Sequence, residues 1–385
     1  MKCKLTYLIL SFLLPVMQSC VFDKEECIGT ERTDSQIELA FTIAMEHRAS
    51  TKADDHTWGD NLDVDSSNDY PDKVGNSFEN YIEVNSLRVF AYDAAGNYLA
   101  EVKEVLCRQT SPSTETGAAT YEFLGILQDK DSGINADVDF VDGTTYRYVI
   151  LANCSEVSYN DGVPDLGNQT FTNTWESFIA PGSAIPMWGA TDQTMVVGSR
   201  QDIGTIYLLR SLAKVEVRLD DAVAQDFRIK EASINRTYTT GYCAPHGWNR
   251  LTTESLYHLG SPANGGFRPY VVDDARINAI NMSATSTSGQ SFVLYLPETP
   301  NSLTDPLYID ITVSDSEKDY TFEKAIVFCN YTSGSPDLLH PYDIVRNHYY
   351  RFDITGVKTS VEVNFNLYYD VWPMDEETVT IPSFE

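Results

Sequence analysis

The sequence predicts an all-β fold built as two sandwich domains, and three observations predict it. Short segments that alternate apolar and polar residues recur along the whole chain, which is the period of a half-buried strand. The 385 residues include 23 Tyr and 17 Phe, residue types that suit pleated surfaces. Glycine and proline stand in small punctuating clusters, and helical segments of about 10–15 residues do not alternate with the strand-like ones. The last point argues against parallel α/β folds and for sandwiches.

The elements follow in order. Gln36–Ala44 reads QIELAFTIA, with Ile37, Leu39, Phe41 and Ile43 on one face. It is a strand, read as an edge strand. A polar linker rich in Asp, Ser, Asn, Gly and Pro follows over 46–79 and reads as exposed. Glu83–Ala91 and Tyr98–Leu106 flank Asp93-Ala94-Ala95-Gly96-Asn97, a turn, and together predict a hairpin. Thr120–Ile126 is a further strand, and Thr144–Ala152 (TTYRYVILA) is the strongest of all. Phe171–Ile179 fits either a strand or a short helix. Gly204–Leu212 and Ala213–Leu219 are adjoining apolar pieces, and in the second Val215, Val217 and Leu219 alternate with Glu216 and Arg218. Phe227–Ile234, Ser291–Leu296, Leu307–Val313, Tyr320–Phe328, Tyr349–Ile354 and Val361–Val371 complete the strands. A loop over Pro297–Pro306 and a long Pro/Asp loop reaching Val345 separate some of them. Length and spacing divide the chain near Gln201–Ile206, giving units of 36–205 and 206–385.

The chain opens with Lys2 and Lys4 followed by the apolar run Leu8–Met17, the anatomy of a signal peptide over 1–19. That run is too short to span a bilayer, which takes about 20 apolar residues. It ends in Gln18-Ser19-Cys20, which resembles the lipobox of bacterial lipoproteins, with Met17 where Leu is commonest. The resemblance implies that Cys20 becomes the first mature residue and carries acyl chains, each buried CH₂ adding about 0.8 kcal/mol of membrane affinity. Residues 20–35 are then a lipidated tether. Its start, Val21-Phe22-Asp23-Lys24-Glu25-Glu26, resembles the short lysine-plus-acid export signal of Bacteroides-like lipoproteins and reads equally as a solvated tether.

The formal charge is -29, and loss of Lys2 and Lys4 with the leader leaves it two units more acidic. Such a surface repels nucleic-acid phosphates and anionic headgroups, so nucleic acid is excluded as a partner and membrane attachment falls to the lipid. Of seven cysteines, Cys3 leaves with the leader and Cys20 takes lipid. Cys27, Cys107, Cys154, Cys243 and Cys329 remain, an odd number without CxxC or zinc-ribbon spacing. One or two disulfides suit an oxidising envelope, and buried free thiols suit Cys154 and Cys329 at the ends of apolar runs equally well.

No enzyme is predicted. The six histidines are scattered, and HExxH, GxSxG and Gly-rich phosphate loops do not occur. Asp137/Asp139 and Asp273/Asp274 read as solvated loop residues rather than catalytic pairs. Asp54-Asp55 and the acidic stretch over 60–69 read as linker rather than a calcium site. No metal and no cofactor is expected. Trp188, Trp248 and Tyr238 are candidates for a binding surface, with core positions the commoner fate of such residues.

Several segments together resemble the fimbrillins of Bacteroides and Porphyromonas. They are the lipobox, SLRVFAYDAAGNYL at 86–99, YVILANC at 148–154, IPMWG at 185–189, LLRSLAKVEV at 208–217, FVLYLPETP at 292–300, RNHYYRFDITGV at 346–357 and VNFNLYYDVWP at 363–373. The resemblance implies two consecutive transthyretin-like Greek-key β-sandwich domains and a structural, adhesive role in surface fimbriae at the outer membrane. It also implies that an Arg-directed protease removes the N-terminal segment with its first strand, so that a neighbour's strand fills the groove. Ile37, Leu39, Phe41 and Ile43 would mark the displaced strand and Arg48 the cut, with Arg32 and Lys52 as alternatives. Exposing unpaired backbone and apolar pockets creates a template for another chain, and one groove with one donated strand gives an open, head-to-tail filament. The C-terminal TVTIPSFE supplies a candidate donor strand through Val379, Ile381 and Phe384, with Pro382 limiting its paired length. The partners expected are other fimbrial subunits, the outer membrane through the lipid, and a host or bacterial surface glycan or protein. The competing roles are a shaft subunit, a tip or anchor subunit, and a monomeric glycan-binding surface lipoprotein. The large loops around Tyr238–Gly266 suit a tip.

Overall fold

A computed structural model describes residues 38–44, 79, 82–109, 120–129, 141–154, 156–173, 184–194, 201–253, 269–272, 276–283, 290–332, 335–358 and 362–371. Strands dominate, with 3-10 turns at Val84–Ser86, Leu166–Asn168 and Val223–Gln225. In chain order the strands begin with β1 Glu38–Ala44, β2 Arg88–Tyr92, β3 Tyr98–Gln109, β4 Thr120–Asp129, β5 Thr145–Ala152, β6 Tyr159–Asn160 and β7 Val163–Pro164. Next come β8 Thr170–Thr172, β9 Met187–Thr194, β10 Gln201–Tyr207, β11 Leu209–Arg210, β12 Leu212–Leu219, β13 Arg228–Tyr238 and β14 Thr240–Tyr242. The last are β15 Arg276–Ser283, β16 Ser291–Pro297, β17 Tyr308–Ser314, β18 Asp319–Val327, β19 Cys329–Thr332, β20 Ser335–Pro341, β21 His348–Lys358 and β22 Glu362–Val371.

The first half forms one eight-stranded sheet in the order β10-β1-β4-β3-β2-β5-β9-β11. Its neighbours are antiparallel except β1 and β10, which run parallel. The β2–β3 connection is the expected turn. The Asp93 carboxylate accepts from the backbone of Ala95 and Asn97 at 2.9 and 2.8 Å, and Gly96 sits at φ +88°, where a side chain would be strained. The core under this sheet includes Val89 and Phe90 of β2, Tyr148 and Ile150 of β5, and Met187 and Trp188 of β9, all fully buried.

The second half carries two four-stranded sheets, β16-β12-β21-β22 and β15-β13-β17-β18. Side chains from both fill one core: Val215, Phe292 and Phe352 from the first, Ile234, Ile309 and Val313 from the second. Two sheets closing on one core make a β-sandwich. Each such side chain removed from water contributes about 1.5–3 kcal/mol, so the pairing of the two faces is what makes either sheet stable. Strand β17 shows the expected period, its burial alternating residue by residue.

The two halves are tied by the ribbon β8–β14, in which Gly241 lies opposite Phe171. A Cβ on Gly241 would stand 2.6 Å from the Phe171 ring, so only glycine lets these strands approach. Tyr295 and Tyr349 of the second half also pack into the first core.

Several expectations are corrected. The strand Gln36–Ala44 is not an edge strand, because β1 has a hydrogen-bonded neighbour on either side. Phe171 and Thr172 belong to strand β8 rather than a helix, held by the ribbon to β14; 174–180 lie outside the described residues. The Pro/Asp loop before Val345 contains the hairpin β19–β20. Glu216, expected on the solvated side of β12, is buried and accepts a hydrogen bond from the Tyr349 hydroxyl. Glu79, placed at the end of an exposed linker, is fully buried: Lys214 reaches its carboxylate at 3.0 Å, the Tyr295 hydroxyl donates to it, and Arg210 Nε donates to its carbonyl at 3.0 Å.

Candidate functional site

Strand β1 and its two neighbours form the site. Against β4 the register is unbroken from Glu38 opposite Ile126 to Ala44 opposite Thr120. Against β10 it runs from Leu39 opposite Gln201 to Ala44 opposite Tyr207, with an irregularity between Ala40 and Thr42. Successive backbone groups of a strand point to opposite sides, so β1 spends its N–H and C=O groups on both neighbours. The segment is seven residues long, about 23 Å when extended.

The consequence for β10 is specific. Its sheet partner is β1, and it forms the end of the sheet order. Taking β1 away leaves the facing ladders of β4 and β10 unpaired. It also leaves β10 attached through its side chains, of which Ile203 and Ile206 are buried in the first core at 1% exposure. A slot bounded by two ladders dictates its occupant: an extended segment of about seven residues, antiparallel to β4 and parallel to β10.

The other predicted site residues fall as follows. Leu39, Phe41 and Ile43 lie in β1. Cys20, Ile37, Arg48, Val379, Ile381 and Phe384 lie outside the described residues, as do Arg32, Lys52, Asp54, Asp55, Asp137, Asp139, Asp273 and Asp274. Trp188 and Tyr238 are buried, so neither offers a binding surface. Trp248 is half-buried, its ring edge-on to Tyr92 at 5.4 Å between centroids. Among the described residues no three His, Cys, Asp or Glu side chains converge to hold a metal.

Neither flank of the slot was identified from the sequence. Thr120–Ile126 reads as a strand without a stated partner. Gln201–Ile206, where length and spacing alone put the division between domains, lies in strand β10.

A family model described as fimbrillin-A associated anchor proteins Mfa1 and Mfa2 matches residues 61–372. No curated protein matches the chain. Among solved structures, the chain is similar to the tip fimbrial protein Mfa3 from Porphyromonas gingivalis with C-terminal truncation, at 12% identity and TM-score 0.48, covering 86% of this chain and 99% of that one. It is also similar to a putative cell adhesion protein from Parabacteroides distasonis, at 16% identity and TM-score 0.48, covering 88% and 97%. A fimbrial assembly protein from the same species gives 12% identity and TM-score 0.44, covering 86% and 95%.

Proposed function

The chain belongs to the family of fimbrillin-A associated anchor proteins Mfa1 and Mfa2, and from that premise we propose that it is a structural, adhesion-related subunit of cell-surface fimbriae, exposed at the outer membrane. Its assembly runs by strand exchange. A protease cuts after Arg48, β1 leaves, and the slot between β4 and β10 takes a strand from the next subunit. The observation that carries this reading is the position of β1 between two strands. Its loss opens two ladders at once, and a replacement strand restores both.

The two halves are read as consecutive transthyretin-like Greek-key sandwich domains. Their division, expected near Gln201–Ile206, is proposed instead at Ser211, because Gln201–Tyr207 is a strand of the eight-stranded sheet and Leu212 opens the first strand of the second-half sandwich. Cys20 carries the lipid that holds the uncut precursor in the outer membrane. Val379, Ile381 and Phe384 form the donated strand, with Pro382 limiting its paired length. A subunit that both accepts and donates a strand extends a filament.

The description of the family as anchor proteins favours a second reading, in which the chain keeps its lipidated N-terminus and β1 and ends a fimbria at the cell surface. One experiment separates the two. The purified full chain is treated with an Arg-specific protease and examined on unboiled gels, alongside a chain lacking residues 374–385. A polymerising subunit forms ladders, and its truncated form caps filaments without extending them. An anchor stays intact and forms none.

A further inference from the structure

The ends of two strands from different halves of the chain bring Cys154 and Cys243 together. Cys154 follows β5 by two residues. Its approach is set by Asn153, at φ +58°, whose backbone N–H is bonded to Ser86 Oγ at 2.7 Å and whose side-chain amide donates to the Ile185 carbonyl at 2.8 Å. Cys243 follows β14 by one residue. Its N–H donates to the Gln169 carbonyl at 2.8 Å, and its carbonyl accepts from Ser211 Oγ and Arg346 Nη1, each at 2.8 Å. The two backbones are therefore fixed independently. Both residues pack into the first core, Cys243 fully buried and Cys154 half-buried, and both are thiols. Ser211 ties the two places together: its N–H donates to the Pro186 carbonyl at 2.7 Å, one residue on from the Ile185 carbonyl that Asn153 holds, and its Oγ donates to the Cys243 carbonyl. The Cys154 thiol donates to the Ala152 carbonyl at 3.5 Å and has the Cys243 side chain as its neighbour.

We propose that Cys154 and Cys243 are a disulfide-forming pair that joins the end of β5 in the eight-stranded sheet to the segment after β14. Closure oxidises two thiols. One cysteine thiolate attacks a sulfur of a disulfide oxidant and expels a thiolate. The second cysteine sulfur then displaces the remaining thiolate from the mixed disulfide. The two protons lost by the cysteines are taken up by the two expelled thiolates, so the oxidant leaves as two thiols. Burial, and then the Cys243 sulfur, hold the Cys154 thiol well above the usual thiol range. Little thiolate is present once the core has closed, so oxidation belongs to folding, before the pair is enclosed. That this happens in the cell rests on export of the chain to an oxidising envelope; the pairing itself does not. Cys329 is the internal contrast. It is buried at the start of β19, outside the first core that holds the pair, and is expected to stay a thiol.

The test uses the full chain, reduced, unfolded and refolded with oxidised glutathione, then blocked, digested and mapped by mass spectrometry. The expected result is one linked peptide pair containing Cys154 and Cys243, lighter by two hydrogens than the separate peptides, with Cys329 blocked as a thiol. Free Cys154 and Cys243, or either of them linked to another cysteine, overturns the proposal. Reductant should then lower the thermal midpoint of the refolded chain by about 5–10 °C. It should leave the midpoint of the Cys154→Ala/Cys243→Ala chain unmoved. The map on the natural sequence decides the matter even if that double variant does not fold. A linked pair after refolding combined with free thiols in protein taken from cells counts against export and leaves the pairing intact.

Discussion

Proline substitution along β1 distinguishes an inner strand from an edge strand. Leu39, Ala40, Thr42 and Ile43 each have a register partner on both β4 and β10. The N–H groups of Leu39 and Ala40 point to opposite sides, and so do those of Thr42 and Ile43. Proline removes one ladder hydrogen bond wherever it stands, a net loss of about 1 kcal/mol, and its ring adds a clash that an inner strand cannot turn to solvent. Together these cost about 3 kcal/mol per site, against about 5–15 kcal/mol for the stability of a whole domain. With an m value of a few kcal/mol per molar, the urea midpoint of the uncut chain should drop by roughly 1 M in each of Leu39→Pro, Ala40→Pro, Thr42→Pro and Ile43→Pro. Intrinsic fluorescence reads this directly. An alternating series, with Ala40→Pro and Thr42→Pro silent or Leu39→Pro and Ile43→Pro silent, would mean that only one side of β1 is paired, and the slot would not exist.

Three further outcomes are expected. Cys20→Ala should abolish incorporation of labelled fatty acid and release the chain from the outer membrane, and uptake of label by the variant would refute lipidation at Cys20. The buried pair of Arg346 Nη2 and Glu298 Oε2, 2.8 Å apart, also holds the carbonyls of Tyr242 and Cys243; Arg346→Met strands Glu298 and should cost about 3–5 kcal/mol by denaturant unfolding. His348, whose Nδ1 lies 2.8 Å from the Arg346 carbonyl, is lowered to about 4 by burial, only partly opposed by that bond. Its folded value lies below the unfolded 6.5, so the unfolded chain binds the extra proton between the two. Stability is therefore fully present above pH 6.5 and falls as pH drops towards 4, by about 1–3 kcal/mol from this group. The difference in urea midpoint between wild type and His348→Gln should shift across that window and be flat above it.

The strands were legible where one face is buried and the other wet. Leu307–Val313 and Thr144–Ala152 stand out because their apolar residues come at every second position or in an unbroken run. What was not legible is pairing. Nothing in ELAFTIA says that it lies between two strands, since period two describes a residue's neighbours above and below the sheet, not beside it. Glu216 departs from its expected solvated position for a related reason, and Lys214 is buried with it. Charged side chains on alternate positions normally face water, but here the face is covered and each charge meets a partner, Tyr349 and Glu79, from far along the chain. Glu79 itself sits at the end of an acidic linker whose composition gives no hint of burial. The Cys154–Cys243 contact was equally hidden, because the 88 residues between them carry no spacing rule.

Hydrogen exchange at the amides of 120–129 and 201–207 tests the replaceable-strand account most directly. These segments are β4 and β10, which share β1 between them. In the uncut chain both should be protected. After Arg-specific cleavage of isolated subunits, protection should fall in both, because each loses the ladder facing β1. In assembled filaments it should return in both, with a donated strand in the slot. Protection that survives cleavage, or that stays lost in the filament, would contradict the claim that β1 occupies a place built for exchange.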